Sequence, residues 1–312
     1  MSKVVIGIGA SHATMANTYL DKTKDQVLAQ RYMSGIREAH RRIGEARPDA
    51  VIVVGSNHFQ GFFLDLMPAF TICLAEVTGK GDGGTPTGPF NVDFELGRSL
   101  AWGLQERDFD IALSLRQEVD HGIAQMVQFF TPDQHVPIVP LVVNTFTPPL
   151  PGLRRCWALG AAIRDIVEND GADRRIAVIA SGGLSHTLPF IPKWYEELGE
   201  DEQMIVDALY RGAPQEDYHK QRVEIMKNAQ PIVNAEWDEQ FLRSIETGDF
   251  EAVLALTNEE LEDLAGNGGQ EIRSWLVAAA AAGGAGSKIS YSPLTEWFTG
   301  MGVAAMGEAA SR

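Results

Sequence analysis

Two cysteines in 312 residues are too few for a disulfide framework, and both Cys73 and Cys156 lie in apolar stretches, which reads as buried, reduced thiols. Positive charge is the second scarcity: 26 Lys and Arg stand against 42 Asp and Glu, a formal net charge of −16. A surface of that sign has little with which to neutralise phosphate, which argues against nucleic acid and anionic membranes as partners. Long apolar runs are missing too. The longest, residues 275–282, falls far short of the roughly 20 residues a bilayer crossing needs and reads as a buried helix segment. The opening MSKVVIGIGASH passes straight into a strand-like run, with no long apolar segment and no small-residue cleavage site, so a cytoplasmic protein is expected. Several catalytic signatures are also absent: CxxC, GxSxG, HExxH and the GxxxxGK[ST] phosphate loop.

What is present is a soluble composition, 45% hydrophobic and 22% charged, with enough chain to bury a sizeable core. Short β-branched runs alternate with stretches of helical period, the pattern of an α/β fold with a largely parallel central sheet. Strands are expected at 4–8, 50–55, 70–75, 110–115, 137–143 and 176–181. Residues 26–46 carry apolar side chains at Val27, Met33, Ile36, Ala39 and Ile43, an amphipathic crossover helix, and 92–106 and 153–167 repeat the arrangement. The Gly- and Pro-rich stretch 79–89 reads as a surface loop. After Pro192 come charged helices at 201–211, 219–228, 236–246 and 258–264. Without repeat or linker, residues 1–312 read as a single catalytic domain, with helices flanking the sheet and a helical C-terminal third.

Seven histidines divide unevenly on that map. His40, His135 and His219 fall in polar surroundings and read as solvated. His12, His58, His121 and His186 each follow an expected strand, and in parallel sheets the strand C-termini share the edge where ligand sites gather. Four imidazoles therefore converge on one cleft. Each follows a short polar residue (Ser11, Asn57, Asp120, Ser185) suited to fixing its ring. Two histidines and a carboxylate on one face of a metal suit non-haem Fe(II), with open positions for O2 and an organic substrate, and the other histidines suit proton transfer near neutral pH. The residues alone leave open which two do which.

At these positions the chain resembles the class III extradiol ring-cleavage dioxygenases of the protocatechuate 4,5-dioxygenase type. The segments that carry the resemblance run along essentially the whole sequence: Ser11-His12, Asn57-His58-Phe59-Gln60-Gly61-Phe62-Phe63, Val119-Asp120-His121-Gly122, Ser181-Gly182-Gly183-Leu184-Ser185-His186, Asn234 to Asp238, and Glu271-Ile272-Arg273-Ser274-Trp275. The resemblance implies His12 and His58 as Fe(II) ligands. For the carboxylate ligand, Glu236, Asp238, Glu239 and Glu271 all lie downstream. The family's iron-binding acid begins a helix ending in tryptophan, which selects Glu271, and the glycine-rich turn ahead of it permits close approach to a metal. His186 and His121 match the family's acid/base pair, His186 taking a proton from a catechol hydroxyl and His121 giving one back. The implied reaction opens a substituted catechol beside its hydroxyls with O2, yielding a 2-hydroxymuconic semialdehyde-type product, in a homo-oligomer. Phe59, Phe62, Phe63 and Trp237 are candidates to flank the ring, and Arg222 or Arg273 to bind a substrate carboxylate. Asn57 departs from the aspartate familiar in relatives, which bears on the metal's surroundings.

Two other readings stand beside this one. A zinc-dependent hydrolase on the same scaffold keeps the metal cleft with different chemistry. A non-enzymatic interaction protein has no need for His12, His58, His121, His186 and Glu271 together. The C-terminal Trp297, Phe298 and Met301 suit either an oligomer interface or closure of the core.

Overall fold

The computed structural model describes residues 1–188, 199–210, 217–228 and 232–307. The chain begins with β1 (Lys3–Ala10), a single turn α1 (Met15–Thr18), the crossover helix α2 (Gln26–Ala46) and β2 (Ala50–Gly55). Then come β3 (Phe70–Lys80), β4 (Thr87–Pro89), α3 (Phe94–Gln105), β5 (Ala112–Val119) and α4 (His121–Phe130). The units β6 (Ile138–Val143), α5 (Leu153–Asn169) and β7 (Arg175–Ser181) lead into the helices α6 (Glu200–Tyr210), α7 (His219–Asn228), α8 (Ala235–Thr247), α9 (Glu251–Leu254), α10 (Asn258–Ala265) and α11 (Ile272–Ala282). A hairpin of β8 (Gly286–Leu294) and β9 (Thr299–Met306) closes the described chain. Caps punctuate the helices: Asp25 accepts from Leu28 N, Asp93 from Leu96 N, and Thr257 and Glu260 form a reciprocal capping box.

The described strands form one sheet in the order β4-β3-β6-β2-β7-β1-β9-β8, with β5 paired to β3. It is a mixed sheet, which corrects the largely parallel one expected. β1, β7, β2 and β6 run parallel, as does β5 to β3, whereas β1–β9, β8–β9, β3–β4 and β3–β6 are antiparallel. Connection length explains the mixture. α2 is a crossover long enough to return β2 in the direction of β1, but no helix separates β2 from β3, and a short turn joins β8 to β9. The helical C-terminal third holds as far as Ala282, where α11 ends and the hairpin takes over. Its strand TGMGVAAM carries little β-branched signal and is placed by packing instead. A Cβ at Gly302 would lie 2.7 Å from the Leu184 side chain.

Alternate residues of β2 show how the sheet divides the core. Ala50, Ile52 and Val54 face α3, α5, α8 and α11, while Val51 and Val53 face α2 and α4. Trp297 (3% exposed) and Met301 (0%) belong to this interior and close the core. A smaller cluster of Phe59, Phe146, Ile205, Ala208 and Tyr218 packs α6 and the start of α7 beside His58. No described helix is long and apolar enough to cross a membrane, and Cys73 and Cys156 are free and buried.

Candidate active site

The chain brings His12, His58, His121 and His186 together with Glu271. His12 leaves β1 at the edge shared with β2 and β7, and the chain behind it is pinned by Tyr32, whose hydroxyl donates to Ser11 O (2.7 Å), and by Gln125, which accepts from Ala13 N (2.9 Å) and donates to Ala13 O (3.1 Å). His12, His58 and His186 follow strands that are mutually parallel, as the shared-edge rule requires. His121 arrives differently. β5 is parallel to β3, which is antiparallel to β6, so β5 runs against β2, and His121 is delivered by the start of α4. Backbones must touch for this: a Cβ at Gly55 would stand 2.5 Å from Gly122 O.

At the centre, Nε2 of His12 and Nε2 of His58 are 3.3 Å apart, and each lies 3.4 Å from Oε1 of Glu271. First-row metal ions with bonds of about 2.1 Å hold neighbouring donors roughly 3 to 3.4 Å apart, so this triangle fits one divalent ion. His121 adds a fourth donor beside the triangle. Its ring stacks on His58 (centroids 4.0 Å, 26°), and the ligand atoms of His12, His58 and His121 all lie within 4.8 Å of one another. His186 sits across the carboxylate, its Nε2 3.5 Å from Oε2 of Glu271.

Each ring is held by a partner from elsewhere in the chain or from the backbone. His12 Nδ1 meets Ser181 Oγ at 2.9 Å, His58 Nδ1 meets Asp120 Oδ1 at 3.2 Å, and His121 Nδ1 meets the Asp82 carboxylate. His186 Nδ1 meets Leu184 O at 2.9 Å. The expectation that each preceding polar residue fixes its own ring is therefore wrong. Neighbouring side chains leave an extended backbone on opposite sides, and these residues tie the chain down instead. Ser11 Oγ donates to Gly300 O, Ser185 is bound by Asp238, and Asp120 caps α4 while accepting from His58 N (2.5 Å). Asn57 builds the turn after His58: its Oδ1 accepts from Gly61 N and Phe62 N, and its Nδ2 donates to Phe62 O. Its side chain is thereby spent on the turn.

Glu271 is fully buried at the end of the turn Asn267–Glu271 that enters α11. Its Oε1 accepts from the Ser56 hydroxyl and its Oε2 from Gly183 N (2.7 Å). The surrounding glycines matter sterically: a Cβ at Gly182 would meet the Glu271 Cβ at 2.7 Å, and one at Gly268 would lie 2.2 Å from the His186 ring. Burial opposes ionisation of Glu271, yet the imidazoles of His12, His58 and His186 hold its carboxyl well below the usual range. Burial lowers His12 to about 3. Burial also pulls on His58, but Asp120 and Glu271 outweigh it and raise that ring to about 10. For His186, burial lowers the pKa against the pull of Glu271. Of the other acids weighed for the metal, Asp238 binds Ser185 and Tyr291, and Glu239 pairs with Lys288.

The histidines open into a cavity of about 300 Å³, at the small end of ligand pockets. A larger groove of about 530 Å³ along α3 and α5 contains none of them. The cavity's aromatic wall is Tyr218, Trp297 and Phe298, in place of the Phe59, Phe62, Phe63 and Trp237 expected. Phe59 is buried against Phe146, and Trp237 stacks on Phe241. The side chains of Arg222 and His219 lie outside the described residues. Arg273 is buried among Pro151 O, Gln270 and Asn258, away from the cavity. Asp82, which lines the cavity, sits in the stretch that reads as a surface loop. The sequence signal at this residue is glycine on both sides, which permits the positive-φ turn that holds Asp82 here.

The family model described as the catalytic LigB subunit of aromatic ring-opening dioxygenase matches residues 7–302. Proteins named 2,3-dihydroxyphenylpropionate/2,3-dihydroxicinnamic acid 1,2-dioxygenase are similar along most of both chains. The one from Burkholderia vietnamiensis is 35% identical over 283 residues, 85% of this chain and 86% of its own. That from Rhodococcus is 32% identical over 278 residues (85% and 87%), and that from Klebsiella pneumoniae 31% over 284 (86% and 88%). The chain therefore belongs to the LigB family of catalytic subunits of aromatic ring-opening dioxygenases, as a class III extradiol enzyme.

Proposed function

We propose that this enzyme binds Fe(II) through His12, His58 and Glu271 and uses O2 to open a substituted catechol beside its hydroxyls, giving a 2-hydroxymuconic semialdehyde-type product. The observation that carries the reading is the triangle of donor atoms with sides of 3.3, 3.4 and 3.4 Å, formed by two imidazoles and one fully buried carboxylate. Bound there, the metal would lower the pKa of a coordinated catechol and bring the ring and O2 into one electronic system.

The chain's own groups supply the rest. With Nδ1 donating to Leu184 O, His186 presents an unprotonated Nε2, and burial keeps that ring neutral, the state in which it takes a proton from a catechol hydroxyl. His121 is the proton donor for the later ring-opening steps. Ser181 and Asp120 orient His12 and His58 so that each Nε2 faces Glu271. Tyr218, Trp297 and Phe298 exclude water from around a single aromatic ring. The relatives' names carry a ring with a three-carbon acid side chain, and a catechol substituted in this manner is the proposed substrate class. The proposal takes residues 1–312 as one catalytic domain working as a homo-oligomer in the cytoplasm, where the free thiols of Cys73 and Cys156 suit a reducing compartment.

The test is anaerobic reconstitution with Fe(II), followed by a panel of catechols in air. Oxygen uptake with a yellow product is expected for iron and not for zinc. Absence of both across the panel, or zinc-supported hydrolysis of amides or esters in their place, would overturn the proposal. Sedimentation of the reconstituted protein reads the oligomer.

A further inference from the structure

Asp82 is held with more care than a connecting loop needs. It stands between Gly81 (φ 80°) and Gly83 (φ 57°), with Gly84 (φ 75°) next, backbone states that side chains beyond Cα resist. The turn is docked on a second element: Asn17 Nδ2 donates both to Gly83 O (3.2 Å) and to Gln128 Oε1 on α4 (2.9 Å). A Cβ at Gly83 would come within 2.2 Å of the Thr14 side chain. The result is a carboxylate 12% exposed, one oxygen of which accepts from Nδ1 of His121. Gln60 Nε2 stands 3.4 Å from that same oxygen, and the other oxygen has no hydrogen-bond partner among the described residues. The carboxylate's principal commitment is to the one imidazole.

We propose that Asp82 is a positioning residue for His121, accepting from Nδ1–H so that the ring is fixed in one tautomer and one rotation with Nε2 left for the cavity. The neighbouring histidine supports the reading by parallel construction. His186 is fixed through the same nitrogen, but by a backbone carbonyl that comes with its own loop, whereas His121 heads a helix and its Nδ1 meets the Asp82 carboxylate and no carbonyl among the described residues. A side chain from another segment has to do the work, and the glycine turn delivers it. Carboxylate acceptors on a ring's far nitrogen are an established way to hold a working imidazole. The inference rests on His121 acting as the proton donor.

The test is a double-mutant cycle on the Fe(II)-loaded enzyme, with a separate readout of the ring. Asp82→Ala is expected to lower kcat about 10- to 100-fold while KM for the catechol stays within about threefold. In a His121→Ala background the same change should cost nothing further, because a positioning residue has nothing left to position. Additive losses, or a rise in KM at unchanged kcat, would overturn the proposal. If Asp82→Ala does not fold, Asp82→Asn carries the same cycle. Independently of turnover, 15N-histidine spectra of the zinc-substituted protein should show the His121 proton on Nδ1 in the wild type and redistributed towards Nε2 in Asp82→Ala; identical spectra would overturn it. An active His121→Ala variant would instead defeat the assignment of His121 as donor, and the spectra would still judge the Asp82 contact.

Discussion

Glu271 and Asp238 are both fully buried carboxylates, and both grip the loop that carries His186. Glu271 accepts from Gly183 N at 2.7 Å, and Asp238 accepts from Ser185 N at 2.7 Å. What surrounds their other oxygens differs. Glu271 faces the imidazoles of His12 and His58, while Asp238 faces the hydroxyls of Ser185 (2.8 Å) and Tyr291 (2.6 Å). Burial pushes both carboxyls up. Imidazoles reverse that push at Glu271, but the hydroxyls only moderate it at Asp238, which is pushed up to about 6. Neutral donors orient a buried charge without replacing the solvent it has lost. One end of the loop is thus built around groups able to share a cation, and the other is a mechanical clamp.

The largest test of that contrast is the loss of the charge-sharing acid. On the proposed ligand set, Glu271→Gln should fail to retain Fe(II) after reconstitution and reduce turnover about a thousandfold or more, read by metal analysis alongside oxygen uptake. Asp238→Asn should keep its iron; if it lost the metal as Glu271→Gln does, the two ends would not be distinct. Next in size is His186→Gln, for which we expect full iron content with turnover down about 10²- to 10⁴-fold. Loss of iron in that variant would move His186 into the ligand set.

The path from sequence to this site was uneven, for physical reasons. Strand β2 and helix α2 are legible to the residue because β-branched runs and helical periodicity are local signals. The histidines could be gathered from strand ends, although His121 reaches the cleft on a strand of opposite sense. β9 was not legible: its glycines and alanines are chosen to fit beneath Trp275 and Leu184, a demand made by residues distant in the chain. Glu271 stands out among the acids only through the family resemblance, since its distinction lies in three imidazoles contributed by other segments. Asp82 is not legible as a site residue because glycines that read as a loop also build a rigid turn.

Smaller effects separate the two acids by pH. Asp238 holds a proton in the folded protein up to about 6, against an ordinary 3.8, so the folded state binds more protons than the unfolded one between those values. Stability should then fall as pH rises through that window, by about 3 kcal/mol in total. In Asp238→Asn this fall should flatten, measured by urea unfolding at pH 4.5 and 7.5; an unchanged slope would mean that the clamp does not titrate. Tyr291→Phe probes the same clamp more finely, because it deletes one donor to Oδ2 and leaves the other contacts standing. With Asp238 charged at pH 7.5 the deleted bond is ion-assisted, and a loss of about 2 kcal/mol is expected. At pH 4.5 the carboxyl is protonated and the bond joins two neutral groups, so the loss should shrink to about 1 kcal/mol. Iron content should stay at the wild-type level at pH 7.5, since Tyr291 touches the clamp and none of the imidazoles around Glu271. Equal losses of about 2 kcal/mol at both pH values would show that hydroxyls alone can hold Asp238 ionised, and the two ends of the loop would then differ in position but not in kind.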